Sequence, residues 1–284
     1  MAVRVAPIGE DDVPEVADFL TEHLNRRIPP DIWAAAIRPG WSFPAPNHGF
    51  LLRDGDRVVG AYLAFYSERT IAGQRERFCN LAAWCVHPDH RFHGLRLLKA
   101  LLDQPGYHFT DLSPSGAVIP LNRRFGFTQL DTTTALVPPQ PWRWLSRTRV
   151  SSDPAVIAAT LTGPQRELFE DHRHLSAARH VVLVRGERVC YVMFRKVRRK
   201  NLPGFAALLH VSDPQVLRGG IGPLTRHLLL RHGVLLTLAE VRVAGFRPRP
   251  SHLLASARPK MFRSSTLGPD QIDDLYSELV CVPW

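Results

Sequence analysis

The segment His90–Arg96 combines basic residues with a glycine, in the order His-Arg-Phe-His-Gly-Leu-Arg, and these residue types suit phosphate binding. It follows a strand-like run that ends at Val86-His87-Pro88, and it leads into a Leu-rich helical pattern, Gly94–Leu102. The start of a helix binds phosphate because its first N–H groups have no partner inside the helix and its dipole is positive there. A glycine also lets the backbone approach the phosphate oxygens closely. The stretch Trp84–Leu102 therefore predicts a pyrophosphate site.

Titratable side chains lie around the same segment. The histidines are His87, His90, His93 and His108. Imidazole, with an ordinary pKa of about 6.5, suits a general base at neutral pH, although loop histidines are also common as solvated surface groups. Asp111, near the end of the next predicted strand, is either a base or a cap of the turn at Ser113-Pro114. These alternatives stay open at the level of sequence.

The four cysteines show neither a disulfide framework nor a metal-binding pattern. Cys79 and Cys85 are six positions apart in a strand-like run, which separates them by about 20 Å at 3.3 Å per residue. That distance is too long for a disulfide. The sequence also lacks the CxxC and CxxH spacings that are typical of zinc sites. We therefore expect buried thiols and no metal site.

Hydrophobic periodicity predicts the elements that position these residues. A strand at Val3–Ala6, a helix from Val13, a hairpin turning at Asp54-Gly55 and a strand at Phe78–Val86 precede the predicted helix Gly94–Leu102. Within that helix we expect one buried face, formed by Leu95, Leu98 and Leu102. The alternation predicts an α/β (α+β) fold with mixed strand directions.

A second copy of this plan follows the proline-rich stretch 138–141. GFLLRDGDRVVGAYLAFYSER in the first half corresponds to HVVLVRGERVCYVMFRKVRRK in the second, and Gly94 corresponds to Gly220. We predict a first lobe at residues 1–137, a linker at 138–150 and a second lobe at 151–284. The alternative is a chance similarity of two βα units.

The motifs of the first half resemble the GNAT superfamily of acyl-CoA-dependent N-acyltransferases. In that family a strand ends in Val-x-Pro, and Arg/Gln-x-x-Gly-x-Gly/Ala opens the next helix. The equivalents here are Val86-His87-Pro88 and Arg91–Arg96, and Phe125-Gly126-Phe127 matches a downstream Gly-Phe. The resemblance covers residues 1 to about 135 well and the second half more loosely, through residues 217–222. It implies two GNAT-like lobes, each a mixed, mostly antiparallel sheet flanked by helices, with acyl-CoA in the first lobe and a degenerate second lobe.

The resemblance also implies which residues contact the acetyl-CoA or other acyl-CoA. They are Trp84, Cys85, Val86, Arg91, Phe92, His93, Gly94, Leu95, Arg96 and Asn122. A backbone N–H near Cys85 or Val86 is expected to bond the thioester carbonyl. Arg96 occupies the family's final Gly/Ala position, where its side chain would either crowd the diphosphate or pair with it.

The family reaction is direct attack of an amine on the thioester, which needs a base for the ammonium proton and an acid for the thiolate. Asn122 stands where the family has its tyrosine acid, and asparagine is no proton donor at neutral pH. The strand Phe78–Val86 lacks the glutamate base of many relatives, and Asn80 is its polar residue. The catalytic candidates are Asn122, Asp111, His87 and Asn80, with Tyr62, Tyr66 and Tyr107 as substitute acids.

Composition narrows the class of protein. The net charge of +10 favours an anionic partner, and no apolar run approaches the roughly 20 residues of a membrane span. The N-terminus lacks a signal-peptide core, so we expect a cytoplasmic protein. An acyltransferase that uses a CoA thioester and an amine acceptor is the leading hypothesis. A non-catalytic two-lobe protein that binds CoA or another ligand as a sensor or scaffold is the second, and a nucleic-acid binder, supported by charge without any motif, is the third.

Overall fold

A computed structural model of the chain describes residues 2–140, 147–199, 202–254 and 257–284. The chain divides into two compact units. The first contains Met1–Leu130, Pro259–Ile272 and Tyr276–Trp284, and the second contains Asp131–Arg258 and Asp273–Leu275. Each unit has a seven-stranded sheet that is mixed but mostly antiparallel. The predicted α+β class is confirmed.

The first half of the chain contributes six strands and four α-helices to the described structure. The strands are β1 Arg4–Pro7, β2 Gly49–Asp54, β3 Arg57–Ile71, β4 Gln74–Val86, β5 His108–Asp111 and β6 Thr128–Gln129. The helices are α1 Val13–His23, α2 Pro30–Ile37, α3 Gly94–Leu102 and α4 Val118–Arg124, with a 3-10 helix, Pro88–His93, directly before α3. The β2–β3 turn fits the sequence because Gly55 has a φ of 60°, a left-handed conformation that glycine adopts without strain.

The remainder of the chain contributes eight strands and five α-helices to the described structure. The strands are β7 Thr134–Val137, β8 Arg149–Ser151, β9 Arg179–Arg185, β10 Arg188–Arg199, β11 Leu202–Val211, β12 Leu236–Glu240, β13 His252–Leu253 and β14 Met261–Arg263. The helices are α5 Pro154–Thr160, α6 Gly163–His172, α7 Pro214–His232, α8 Val241–Ala244 and α9 Glu278–Cys281. None of the helices in the described ranges is both long and apolar enough to cross a membrane.

The two sheets have the same strand order. The first is β1-β2-β3-β4-β5-β14-β6, and the second, read from its opposite edge, is β8-β9-β10-β11-β12-β7-β13. In each sheet the fourth and fifth strands are parallel and the remaining neighbours are antiparallel. The repeat seen in the sequence therefore corresponds to two units with one topology.

The sixth position of each sheet is filled by a strand from the other half of the chain. β14 lies between β5 and β6, and β7 lies between β12 and β13. The predicted second lobe, 151–284, differs from the structure here, because 259–272 and 276–284 pack in the first unit. Of the predicted linker 138–150, residues 141–146 lie outside the described residues, and β8 already begins at Arg149.

Helix α3 has the predicted bounds but a different buried face. Gly94, Leu97, Leu98 and Leu101 are buried, whereas Leu95 is 39% exposed. This set follows the i, i+3, i+4, i+7 spacing that turns one stripe toward a sheet, so the expectation for Leu95 was wrong. The four cysteines, in agreement with the sequence, are buried thiols: Cys79, Cys85, Cys190 and Cys281.

We predict that Met261→Ala destabilises the first unit by about 2–5 kcal/mol, because the side chain is fully buried in β14. Hydrogen–deuterium exchange should then accelerate in β5 and β6, which flank β14. The matched control is Met193→Ala, an equally buried methionine of β10, which should accelerate exchange in β9 and β11 instead. Unchanged protection of β5 in Met261→Ala would show that β14 does not hold this sheet together.

Candidate active site

The site lies where β4 and β5 separate. These parallel strands pair only between Phe78–Asn80 and His108–Thr110. β5 ends one residue later, while β4 continues to Val86, a further six residues or about 20 Å. In the described part of the chain, the edge of β4 beyond Asn80 therefore pairs with no strand on the β5 side. Backbone N–H groups that point to this side therefore have no strand partner there in the described residues.

A β-bulge shapes the outer part of β4. Ala61 pairs with Cys85 and Leu63 pairs with Ala82, so Tyr62 alone stands opposite two residues of β4. Ala83 at the bulge has a φ of 55°, a left-handed conformation that costs a non-glycine residue roughly 1 kcal/mol. Local strain of this kind often accompanies functional sites. The Tyr62 ring stacks on Trp84, with centroids 4.8 Å apart and planes 7° from parallel.

Asp111 and Asn122 form a buried polar pair at the end of β5. The Asn122 side-chain N–H donates to Asp111 Oδ2 at 2.8 Å, and the Ser113 backbone N–H also bonds this carboxylate. Burial nevertheless raises the pKa of Asp111 to about 6. Asn122 is fully buried, and its Oδ1 accepts no hydrogen bond from the described residues. Since an unsatisfied buried acceptor costs about 1–3 kcal/mol, this oxygen is suited to a donor on a ligand.

A carboxylate from the C-terminal segment contacts Ser113, two residues after Asp111, and was not found from the sequence. Glu278 is fully buried, and its Oε1 accepts the Ser113 hydroxyl at 2.7 Å. Its backbone N–H donates to Asn80 Oδ1 at 3.1 Å. The side-chain amide of Asn80 donates in turn to Thr110 Oγ1 at 3.0 Å. Asn80 was predicted as a catalytic residue. Its side-chain N–H group and its side-chain oxygen are instead both hydrogen-bonded, and these bonds connect β4 to β5 and to α9.

The predicted phosphate turn is helical rather than open. Within the 3-10 helix, the His90 N–H donates to the His87 carbonyl at 2.9 Å and the Gly94 N–H donates to the Arg91 carbonyl. Gly94 has ordinary helical angles, so its conformation does not require glycine. A Cβ at this position would stand 3.4 Å from Val86 Cγ2 and 3.6 Å from Trp84 Cζ2. The glycine therefore keeps open the space beside the end of β4.

Side chains of the turn separate into exposed and anchored groups. Arg91 and Phe92 are exposed, and Phe92 reaches 97% exposure. Arg96 donates from Nη1 to the Val3 carbonyl at 2.7 Å, so its guanidinium anchors α3 to the chain before β1. The sequence predicted that Arg96 would either crowd a diphosphate or pair with it. The observed hydrogen bond to Val3 involves neither of these roles. His93 is half-buried.

His87 and Cys85 lie near the turn without joining the Asp111 pair in the described contacts. The His87 ring packs between His23 and His90, with centroids 5.3 and 6.0 Å away, and its Nδ1 accepts the Asp89 N–H at 3.4 Å. Burial raises the pKa of the Cys85 thiol to about 11, which keeps it protonated at neutral pH. Cys85 therefore contributes backbone rather than a nucleophile.

Among the three tyrosines predicted as substitute acids, Tyr62 is the one in the field of the buried carboxylates. Burial, followed by the charges of Asp111, Cys79 and Glu278, raises the pKa of its hydroxyl well above the usual value. The Tyr66 hydroxyl is engaged elsewhere, since it donates to Asn47 Oδ1 at 2.8 Å and also contacts Gln104. Tyr107 packs beneath the Arg77 guanidinium.

The corresponding helix start in the second unit is already occupied. Asp213 accepts hydrogen bonds from the Gln215 and Val216 N–H groups at 2.9 and 3.1 Å, and Arg188 pairs with the same carboxylate at 2.7 Å. Gly220 lies inside α7, where a Cβ would come within 2.7 Å of Leu183. The predicted correspondence of Gly220 with Gly94 therefore does not extend to their places in the helices, because Gly94 begins α3 whereas Gly220 packs inside α7. A carboxylate at the helix N-terminus also repels phosphate.

No group of three or more His, Cys, Asp or Glu side chains in the described ranges is arranged to hold a metal ion. The part of the first unit best suited to acid–base chemistry is therefore the region where β4 and β5 separate. It contains Asp111, Asn122 and Tyr62.

The structure is similar to solved structures of known acyltransferases. A GCN5-related N-acetyltransferase from Anabaena variabilis matches with a TM-score of 0.61 at 11% identity, over 92% of this chain and 72% of that chain. A GCN5-related N-acetyltransferase from Kribbella flavida matches with a TM-score of 0.58 at 14% identity, over 92% and 72%. N-myristoyltransferase of Saccharomyces cerevisiae with bound myristoyl-CoA matches with a TM-score of 0.51 at 11% identity, over 97% and 83%. No protein-family model and no curated protein matches the sequence.

These similarities establish the fold. The chain has the GNAT fold, and its two mixed sheets are consistent with tandem GNAT lobes like those of N-myristoyltransferase. The resemblance drawn from Val86-His87-Pro88 and the following turn is confirmed at this level. At 11–14% identity, the chemistry has to be argued from this chain's own residues.

We predict that Asp111→Asn stabilises the protein at pH 8 and much less at pH 4. The folded state raises this pKa from 3.8 to about 6, so folding disfavours the charged form, and the cost develops as pH rises from about 4 to above 6. Two pKa units correspond to about 3 kcal/mol. Urea denaturation at both pH values measures the difference, with the exposed Asp18→Asn as control. Equal destabilisation by Asp111→Asn at both pH values would contradict the assignment.

Proposed function

We propose that this protein is an acyltransferase that moves an acetyl or other acyl group from acyl-CoA to an amine acceptor by direct attack. The observation that carries the proposal is the buried Asp111–Asn122 pair at the opening between β4 and β5. The fold supports it, since structures with this fold include N-acetyltransferases and a myristoyl-CoA complex.

The pair has the properties needed to bind and deprotonate an amine. Asn122 Oδ1 and the Asp111 carboxylate are both hydrogen-bond acceptors, so together they fit a group that carries several N–H donors. A carboxylate with a pKa of about 6 is ionised at neutral pH and is a stronger base than an ordinary aspartate. Asp111 therefore takes the proton of the acceptor ammonium, while Asn122 orients the nitrogen.

Two further groups complete the chemistry. The CoA thioester supplies an activated acyl carbon. Backbone N–H groups near Cys85 and Val86, on the unpaired edge of β4, donate to its carbonyl oxygen as negative charge develops there. Tyr62 remains protonated because its pKa is raised, so its hydroxyl is available to stabilise the departing thiolate by a hydrogen bond. This assigns the donor for the thiolate to β3.

The phosphates are held in this proposal mainly by side chains. The N–H groups of His90 and Gly94 already have carbonyl partners, so they contribute little. The exposed guanidinium of Arg91 and the ring of His93 lie in the same turn and are suited to an anionic group. The missing side chain at Gly94 leaves room beside Trp84.

Two observations favour the second hypothesis, a non-catalytic protein that binds CoA or another ligand as a sensor or scaffold. The helical turn Pro88–His93 uses its own N–H groups, and Asn122 replaces an acid. Binding of CoA without release of thiol, in the presence of a panel of small amines, amino sugars and peptides, would identify the protein as a binder.

We predict that Gly94→Glu abolishes the thermal stabilisation produced by CoA, because the carboxylate enters the space beside Trp84 and repels phosphate. Binding only to the native state raises Tm, so the shift reports affinity. Gly94→Ala is the matched control and should retain the shift, since its Cβ makes only ordinary contacts. An undiminished shift in Gly94→Glu would place CoA elsewhere.

We predict that Asp111→Asn lowers kcat/KM for thiol release by about 100-fold or more, the usual contribution of a general base. The CoA-induced thermal shift should persist, which separates loss of chemistry from loss of binding. For the unmodified protein, log(kcat/KM) should rise with pH up to about 6 and then level off, because Asp111 must be ionised. Full activity of Asp111→Asn would remove Asp111 from the mechanism.

A further inference from the structure

A chain of hydrogen bonds joins a serine, a histidine and a glutamate in the first unit. The Ser264 hydroxyl contacts His108 Nδ1 at 2.8 Å, and His108 Nε2 contacts Glu76 Oε2 at 2.8 Å. Ser264 Oγ also accepts the backbone N–H groups of Thr266 and Leu267, at 3.1 and 2.7 Å. None of these residues takes part in the proposed acyl transfer.

The hydrogen bonds are compatible with one direction of proton transfer along this chain. Ser264 Oγ accepts two backbone N–H groups, which leaves its own O–H to donate to His108 Nδ1. A histidine that accepts at Nδ1 carries its proton on Nε2, and that proton faces the Glu76 carboxylate. In this tautomer the arrangement is a hydroxyl, an imidazole nitrogen that can accept its proton, and a carboxylate that orients the imidazole.

Three strands hold these groups in place. Glu76 is on β4, His108 begins β5, and Ser264 directly follows β14, which pairs with β5. His108 is only 9% exposed, and its ring packs against Phe78. The imidazole ring is therefore largely shielded from water, and its two nitrogens remain in contact with Ser264 and Glu76.

The serine itself lies at the surface. Ser264 is half-buried, and the next two residues, Ser265 and Thr266, are exposed. The turn that carries the Ser264 hydroxyl is therefore partly open to solvent. His108 and Asp111 point to opposite faces of β5 because they are three positions apart in a strand, so this cluster is separate from the Asp111 pair.

We propose that Ser264, His108 and Glu76 form a second catalytic site, which hydrolyses carboxylic esters with small acyl groups through an acyl-serine intermediate. Small acyl groups are the proposed substrates because the Thr266 and Leu267 backbone lies directly against Ser264 Oγ, and the reaction uses neither metal nor CoA.

The reaction balances with water as the only co-reactant. Ser264 Oγ attacks the ester carbonyl carbon and its proton passes to His108 Nδ1, while Glu76 stabilises the imidazolium. The bond from carbon to the alcohol oxygen then breaks, and the proton moves from Nδ1 to the departing alkoxide. Water attacks the acyl-serine, gives its proton to Nδ1, and the carbon–Oγ bond breaks as Oγ recovers that proton. The products are one carboxylic acid and one alcohol.

The same turn supplies donors for the oxyanion. The Thr266 and Leu267 N–H groups converge on Oγ, and the new oxyanion is separated from Oγ by a single carbon. The longer of these bonds, from Thr266, is the one that transfers to the oxyanion as Oγ commits a lone pair to the carbonyl carbon.

The experiment is hydrolysis of p-nitrophenyl acetate by the full chain without CoA, with parallel labelling by a fluorophosphonate and peptide mass spectrometry. We expect one label, on Ser264, where Oγ displaces fluoride. Ser264→Ala and His108→Gln should lose at least 100-fold in hydrolysis rate, and Glu76→Gln about tenfold or more. Ser265→Ala, an exposed serine one residue away, is the matched control and should retain both label and rate.

Two results would overturn the inference. One is the absence of a label on Ser264 in the unmodified protein. The other is a hydrolysis rate in Ser264→Ala equal to that of Ser265→Ala. Because Ser264→Ala also removes an acceptor for two N–H groups, a thermal melt accompanies each variant. If Ser264→Ala fails to fold, the label on the unmodified protein and its loss in folded His108→Gln decide the question. Since the assay contains no CoA, its outcome does not depend on the proposed acyl transfer.

Discussion

The pairing of β14 with β5 and β6 is the constraint on which the first unit depends. Met261 stands opposite both Asp111 and Gln129, so one residue from the far end of the sequence completes the sheet where the polar pair lies. The chain that follows β14 then brings Glu278 to Asn80 and Ser113. Without this strand, β5 would be an exposed edge, and the end that carries Asp111 would have no fixed position.

The Asp111 carboxylate lies in a buried position where its charged form is unfavourable for folding. Asp111 has two hydrogen-bond donors, yet burial still raises its pKa, because the desolvation of the charge outweighs them. The free-energy cost of burying this charge is offset by the packing of the surrounding core, which includes Tyr62, Leu97 and Met261. Perturbed pKa values of this kind cluster at functional sites, which is the physical basis for the proposed role of Asp111 in proton transfer.

The two units share one topology and differ in the start of the helix that follows the fourth strand. In the first unit a 3-10 turn that exposes both Asp89 and Arg91 precedes α3. In the second, Asp213 caps α7 directly and is held by Arg188. The first helix turn of the second unit is therefore occupied by its own carboxylate, and the degeneracy of the second lobe stays a prediction.

The sequence by itself determined the α+β class, the repeat, the β2–β3 turn at Gly55, the bounds of α3 and the resemblance to the GNAT superfamily, because these features depend on residues close together in the chain. Tertiary structure alone decided the exchange of β7 and β14 between the sheets, the arrival of Glu278 beside Asn80, the anchoring of Arg96 to Val3 and the position of Gly220 inside a helix. The hydrophobic pattern of a strand shows which of its faces is buried, but it does not show which strand will pair with it. The partner of a side chain across a sheet depends on residues that are distant in the sequence.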